Sequence, residues 1–262
     1  MISVSASATD AFDLSDLAGS LLERLRGERS RVHAITNAAA QTFTANLLLA
    51  AGGVPSLTVA PDEVPAFTRR SDALLVNLGT LDSDRRTAIP WAIATALTHR
   101  KRWVLDPVFV DASPLRLEAA RFCLSGSPCV MRCNAEEFAA LAMCDPTPDT
   151  VKAFARAQHT VVALTGAADL VTDGSRSIRI DNGHPLMTRI TAMGCAGTAL
   201  IAAFSALHES ALEAAAAALL VVGVAGEIAA EQAKGPGTFQ SAFLDALFHL
   251  DPATLTTRGR SA

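Results

Sequence analysis

The 262-residue chain is 50% hydrophobic but only 5% aromatic, has no tyrosine and carries a formal net charge of −4. That length suffices for one large α/β domain with a substantial core, and the scarcity of rings leaves Ala, Leu and Val to fill it, which predicts close helix packing. The basic residues are scattered, which excludes the electrostatic footprint of a nucleic-acid or anionic-lipid binder and points to a small-molecule partner.

The amino-terminal stretch "MISVSASATDAFDLSDL" has no positive segment ahead of an apolar one, so a cytoplasmic location without membrane attachment is expected. Residues 1–28 and 254–262 have polar tips and are expected to be peripheral. Between them, short β-branched runs bounded by turn residues recur: "RVHAIT" at 31–36, "SLTVA" at 56–60, "ALLVNL" at 73–78, "RWVLDPV" at 102–108, "CVMR" at 129–132 and "TVVALTG" at 160–166. Helix-period segments separate most of them, an alternation that predicts a doubly wound, parallel sheet. The segment "LVTDGSRSIRIDNG" at 170–183 predicts an antiparallel hairpin that reverses at Asp173 and Gly174. Beyond it the chain is predicted helical in two apolar segments separated near His208 to Ser210, with an uncharged run at 214–226 that is too short to span a bilayer. No repeat, charge block or Pro/Gly/Ser linker divides the chain, so one domain is expected over residues 1–262.

Five cysteines, Cys123, Cys129, Cys133, Cys144 and Cys195, are an odd number in a chain that needs no stapling, and they are read as thiols. Cys129 and Cys133 lack a second Cys or His pair at ligand spacing, so they read as buried strand residues. The six histidines share no spacing, and His33, within the first strand, suits a satisfied polar core group as well as a ligand.

In a parallel α/β sheet, ligands gather outside the carboxyl ends of the strands. Five such ends here carry polar groups: Thr36 and Asn37; Asn77, Gly79 and Thr80; Asp106; Arg132, Asn134 and Glu137; Thr165 and Gly166. Each residue type is also a common turn former or cap, so it is their convergence that points to a site. Asp106 before Pro107 suits an ordinary turn, and together with Glu137 one strand away it equally suits Mg²⁺, which takes one or two carboxylates plus substrate phosphates. In "TRITAMGCAGTALIAAF" at 188–204, Gly194 and Gly197 flank Cys195 where irregular chain passes into a helix. Free backbone N–H groups and the positive helix end would hold an anion there and lower the Cys195 pKa. Glycines that merely permit close packing around a small core thiol are the competing explanation.

Taken together, "VHAITNAAAQTFTANLLLAAGGVPSL", "DALLVNLGTLD", "VLDPVFVDASPLR", "MRCNAEEFAAL", "VVALTGAADLVTDG", "TAMGCAGTALIAAF" and "GPGTFQSAFLDALFHL", in this order, resemble the hydroxyethylthiazole kinase family of the ribokinase-like superfamily. The resemblance runs from about residue 31 to 250. It implies an α/β three-layer sandwich with a mostly parallel central sheet, and phosphoryl transfer from MgATP to the primary alcohol of 5-(2-hydroxyethyl)-4-methylthiazole. It further implies that Arg132, Thr165 and Asn134 contact ATP, that Asp106 and Glu137 organise Mg²⁺, and that Leu57, Ala192 and Asn37 face the thiazole alcohol. Cys195, with Gly194, would lie beside the reacting hydroxyl as a base or an orienting group. The resemblance also implies a homotrimer with sites at subunit interfaces.

The match departs from the family pattern around that site. Ala192 and Met193 stand where small residues precede Gly194 and Cys195, Phe109 and Asp111 replace two glycines of a "DPVGxGA" pattern, Leu57 replaces Met, Thr42 replaces Asn and Cys133 replaces Gly. A glycine position with positive φ would impose strain on Phe109 or Asp111. These departures leave two other readings open, a ribokinase-like kinase for a different small alcohol and a non-catalytic ligand-binding relative.

Overall fold

Alternation along the strands sets the layering. A computed structural model describes residues 12–262, in which β1 (Arg31–Ile35), β2 (Val54–Ser56), β3 (Ala73–Asn77), β4 (Arg102–Asp106), β5 (Val130–Cys133) and β6 (Val161–Leu164) run parallel. The hairpin strands β7 (Asp169–Thr172) and β8 (Ser177–Ile180) join antiparallel. The eight strands follow the order β2-β1-β3-β4-β5-β6-β7-β8. Val32, Ala34, Ala73, Leu75, Val104, Val130 and Ala163 point into one core, and Ile35, Leu74, Val76, Trp103, Leu105, Met131 and Val162 point into the other. Both faces of the parallel strands are therefore apolar, as a sheet covered on both sides requires.

The first core is closed by α1 (Leu14–Glu28), α2 (Gln41–Ala51), α8 (Met193–Leu207), α9 (Ala211–Gln232), α10 (Pro236–His249) and α11 (Pro252–Arg258). The second is closed by α3 (Val64–Arg70), α4 (Ser83–Thr98), α5 (Pro114–Ser125), α6 (Ala135–Ala142) and α7 (Pro148–Gln158). The result is the expected three-layer α/β sandwich. The poverty in rings is resolved as predicted, because α8 and α9 bury Ala199, Ala202, Ala203 and the run Ala214 to Ala218. The 22-residue α9 is longer than the uncharged run suggests and is apolar enough to cross a bilayer by length and composition, but 78% of its apolar window is buried inside the protein. It is a core helix.

Three expectations need correction. The second strand lies at Val54–Ser56, ahead of the β-branched run at 56–60, because pairing with β1 stops at His33 and Ser56. Residues 12–28 are not peripheral, although the first eleven residues of that expectation lie outside those described. The Asp13 carboxylate caps α1, accepting the N–H of Ser15 at 2.7 Å, and Leu14, Ala18, Leu21, Leu22 and Leu25 form a buried helical stripe. The polar tips hide it. Nor is the carboxyl terminus peripheral: Leu255 is fully buried, and Arg179 and Ala262 exchange backbone hydrogen bonds of 2.8 and 3.0 Å that carry the chain end along β8.

Since Leu22 has no exposed surface, Leu22→Ala is expected to cost about 2–5 kcal/mol. Urea denaturation measures it, and a loss below about 1 kcal/mol would show that α1 is dispensable to the core.

Candidate active site at the strand ends

The same alternation that builds the first core delivers polar groups beneath α8. Asn77 continues the face of Ala73 and Leu75, Asp106 that of Val104, and Arg132 that of Val130. Register places Asn77 directly beside Asp106. Thr165, just past β6, takes the Cys133 carbonyl through both its N–H (2.8 Å) and its hydroxyl (3.3 Å).

Asp106 is fully buried. Its Oδ2 accepts hydrogen bonds from Asn77 Nδ2 at 2.7 Å and Thr198 Oγ1 at 3.2 Å. That contact fixes the polarity of Asn77, because a carboxylate only accepts. Asn77 Oδ1 is then left to accept from Gly79 N–H at 3.0 Å and from Asn37 Nδ2 at 3.1 Å. Asn37 Nδ2 also lies 3.3 Å from Cys195 Sγ, so its two N–H bonds serve Asn77 and the sulfur separately. A relay of defined direction thus joins Asp106 to Cys195.

The sequence-based expectation of a lowered thiol pKa is not met. Burial first, and the Asp106 charge second, push the Cys195 thiol up to about 12, against the pull of Asn77, Arg132 and Asn37. Desolvation prevails and favours the protonated thiol.

The other side of Asp106 faces Arg132. Asp106 Oδ1 has no hydrogen-bond partner and lies 3.9 Å from Arg132 Nη1. Burial raises the Asp106 pKa, with Arg132, Asn77 and Thr198 opposing it. Burial would lower the pKa of Arg132, but Asp106 and Glu137 hold it above its ordinary value. Gly194 gives the guanidinium its place, since a Cβ there would stand 2.7 Å from Nη1 and Nη2. Ala192, at the N-cap of α8, provides no side-chain cap. Unsatisfied first-turn N–H groups and a guanidinium therefore share one cradle, an arrangement suited to phosphate.

Glu137, nearly buried, works as a strut. Its oxygens accept Phe109 N–H at 3.0 Å and Asn134 N–H at 2.9 Å, and the Asn134 side chain returns the bond to Glu137 N–H at 2.8 Å. This capping box starts α6 and ties the loop after β4 to the turn after β5. Burial and the nearby Asp106 charge raise the Glu137 pKa despite those N–H groups. Among the described residues, no cluster of three or more His, Cys, Asp or Glu side chains is arranged to hold a metal ion.

Phe109 and Ala192 adopt left-handed φ values of 57° and 68°. Other non-glycine residues in that region, such as Arg29, Met143 and His159, cap helix carboxyl ends, where the conformation is routine. Phe109 and Ala192 instead lie beside the cradle formed by Glu137, Arg132 and Gly194. Asp111 is not left-handed. Leu57, just beyond β2, packs half-buried on the first core.

Thr198 and Asp169 were not singled out from sequence. Thr198 follows Gly194 by one helical turn, a spacing that reveals it once the helix start is known. Asp169 Oδ1 accepts Gly166 N–H at 3.0 Å and holds the turn after β6. Burial pushes its pKa up to about 6, against the Gly166 N–H and the Arg132 charge.

The sequence pattern of the hydroxyethylthiazole kinase family matches residues 22–253. A hydroxyethylthiazole kinase of Granulibacter bethesdensis is 45% identical over 253 residues, covering 92% of both chains. One from Zea mays is 42% identical over 263 residues, covering 93% of this chain and 92% of the relative. The solved structure of the Pyrococcus horikoshii hydroxyethylthiazole kinase superposes with a TM-score of 0.89 at 35% identity, over 94% of this chain and 98% of that one. A Staphylococcus aureus pyridoxal kinase shares the fold, with a TM-score of 0.61 at 16% identity over 76% of this chain and 88% of that one.

The raised Asp169 pKa has a stability consequence of definite sign. A folded-state pKa above the unfolded one means that stability falls as the pH rises through the interval between them, from about 4 to about 6. Asp169→Asn keeps an acceptor for Gly166 without the charge and is expected to be more stable than wild type by about 1–3 kcal/mol at neutral pH. Urea midpoints should show that gain shrinking as the pH approaches 4; a pH-independent gain would remove the carboxylate as its cause.

Proposed function

The chain belongs to the hydroxyethylthiazole kinase family, and we infer from that premise that it phosphorylates the primary hydroxyl of 5-(2-hydroxyethyl)-4-methylthiazole with ATP, in thiamine biosynthesis. The observation that carries this reading is the cradle itself, where the uncapped start of α8 meets Arg132 across Gly194, with Cys195 and Asn37 adjoining. It offers preorganised positive charge beside a small polar position that fits an alcohol.

Phosphoryl transfer gains most from alignment and from neutralising the equatorial oxygens. Arg132 and the α8 N–H groups supply fixed positive charge for the moving phosphoryl group, and Thr165 and Asn134 line the nucleotide side. Asn134 has already committed its Oδ1 to the α6 cap, which leaves its Nδ2 for phosphate. Leu57, Ala192 and Asn37 border the alcohol. The unpartnered Asp106 Oδ1, with Glu137 beside the cradle, fits Mg²⁺ bound jointly with phosphate oxygens, since the described residues alone provide no closed set of donors. When bound, Mg²⁺ supplies further neutralisation of phosphate charge.

Cys195 orients the hydroxyl rather than acting as a standing base. With its pKa near 12, only about one thiol in 10⁵ is ionised at pH 7. The Asn37 N–H bond to sulfur holds the thiol in place beside the position proposed for the acceptor hydroxyl. The chain is proposed to work in the cytoplasm as one subunit of a homotrimer; exposed Leu49 and Phe67 offer apolar surface for such an interface.

The direct test is ADP release from MgATP with and without the thiazole alcohol, followed by mass detection of the phosphate ester; ADP without ester would overturn the assignment. Cys195→Ala is expected to lower kcat by less than about 10²-fold, and wild-type kcat should show no rise between pH 7 and 9 from thiolate formation. A loss beyond about 10⁴-fold at unchanged KM values would instead make the sulfur the base. For Gly194→Ala, the methyl group displaces the flexible end of Arg132 and the KM for ATP should rise about tenfold or more with little change in unfolding midpoint. An unchanged KM would separate Arg132 from the nucleotide.

A further inference from the structure

We propose that His33 is a positioning residue for the acceptor pocket, fixing the backbone at Thr58 and thereby the placement of Leu57. The inference rests on Leu57 bordering the alcohol, as proposed above. His33 lies in the interior of β1 with no exposed surface, and phosphoryl transfer gives it no role. Its Nε2 lies 3.0 Å from the Thr58 carbonyl oxygen and its Nδ1 lies 2.8 Å from Thr68 Oγ1. A carbonyl accepts only, so Nε2 carries the hydrogen and Nδ1 accepts from the Thr68 hydroxyl. Both nitrogens are committed, in one neutral tautomer. Burial lowers the ring's pKa more than the Thr58 bond raises it, in keeping with that neutral form. The Phe67 ring, 6.2 Å away and tilted by 42°, packs beside it.

What makes this bond consequential is where sheet pairing ends. The last β1–β2 partners are His33 and Ser56, so from Leu57 onward the backbone has left the sheet. Thr58 would present a carbonyl without a strand partner, and His33 supplies its donor. The flanking side chains diverge, Leu57 packing on the first core and Val59 on the second. The segment's other ties are downstream: Thr58 Oγ1 to Glu63 Oε2 at 2.7 Å and Val64 N–H to the Ala60 carbonyl at 3.1 Å. Strand β1 also leads directly to Asn37, which contacts Cys195. One imidazole thereby fixes the spacing between two borders of the pocket, Asn37 and Leu57, and displacements of about 1 Å between such groups are costly in rate or binding.

The test compares His33→Leu, His33→Gln and Thr68→Val by steady-state kinetics, unfolding midpoint and backbone hydrogen exchange. His33→Leu is expected to raise the KM for the thiazole alcohol about tenfold or more while the KM for ATP stays within about twofold. His33→Gln places an amide nitrogen near the Nε2 position and should recover most of the loss, and Thr68→Val, which removes only the ring's far anchor, should raise the alcohol KM about threefold. Exchange should quicken at residues 57–60 and not at 132–137. A lowered midpoint with both KM values unchanged, or with both raised equally, would assign His33 a structural role only and overturn the proposal. If His33→Leu does not fold, Thr68→Val and His33→Gln decide by the same ratio of KM values. Absence of ester in the wild-type reaction would overturn the assigned acceptor, and exchange at 57–60 would still decide whether His33 holds that segment.

Discussion

A carboxylate with no exposed surface sits at the centre of this protein, and the arrangement around Asp106 is what keeps it there. Burial of a charge is tolerated only with donors and a counter-charge. Asn77 and Thr198 serve one oxygen, and the other is left facing Arg132 at a distance too long for a hydrogen bond. That residual electrostatic demand anchors the guanidinium at the first turn of α8, and the carboxylate's accept-only chemistry sets the direction of every amide between it and Cys195. The geometry of the candidate site and internal charge compensation are one arrangement here.

Much of this was legible in the residues. Polar groups after apolar runs identified Asn37, Asn77, Asp106, Arg132, Glu137 and Thr165 as strand-end residues, because period-two alternation and parallel topology leave few other places for them. What remained illegible was whatever depends on third dimension and solvent. Helix α1 was hidden by its polar flanks, although its leucine stripe is plain in hindsight. The second strand was misplaced because β-branched composition does not reveal where a neighbour stops pairing. The sign of the Cys195 shift is not legible in sequence because it is set by desolvation, which depends on packing that a helix-start pattern does not display.

Phe109 and Ala192 show how a loop can retain its path after losing the residue that suits it. Both sit in a conformation that costs about 1–3 kcal/mol for residues with a Cβ, yet both keep their places because neighbours over-determine them. Glu137 fixes the N–H of Phe109, and the Ala192 carbonyl accepts the Ala196 N–H at 2.8 Å as α8 begins. The Phe109 ring is exposed and lies 5.8 Å from the Arg116 guanidinium carbon, while Arg116 Nη2 donates to the Gly79 carbonyl at 2.5 Å. The added side chains therefore alter the rim of the cradle more than its floor.

The chain end running beside β8 has a meaning apart from chemistry. An unpaired strand edge is a template for another molecule's backbone. At the opposite margin the three-residue β2 contains Pro55, which has no N–H to offer, whereas β8 would be a regular, extendable edge were Ser261 and Ala262 not paired with it. The final residues thus act as a seal against edge-to-edge aggregation. Proteolytic trimming after Arg258 or Arg260 would open that seal at a sheet margin remote from the Asp106–Arg132 cradle, so such a nicked protein would lose solubility before the geometry of that cradle changed.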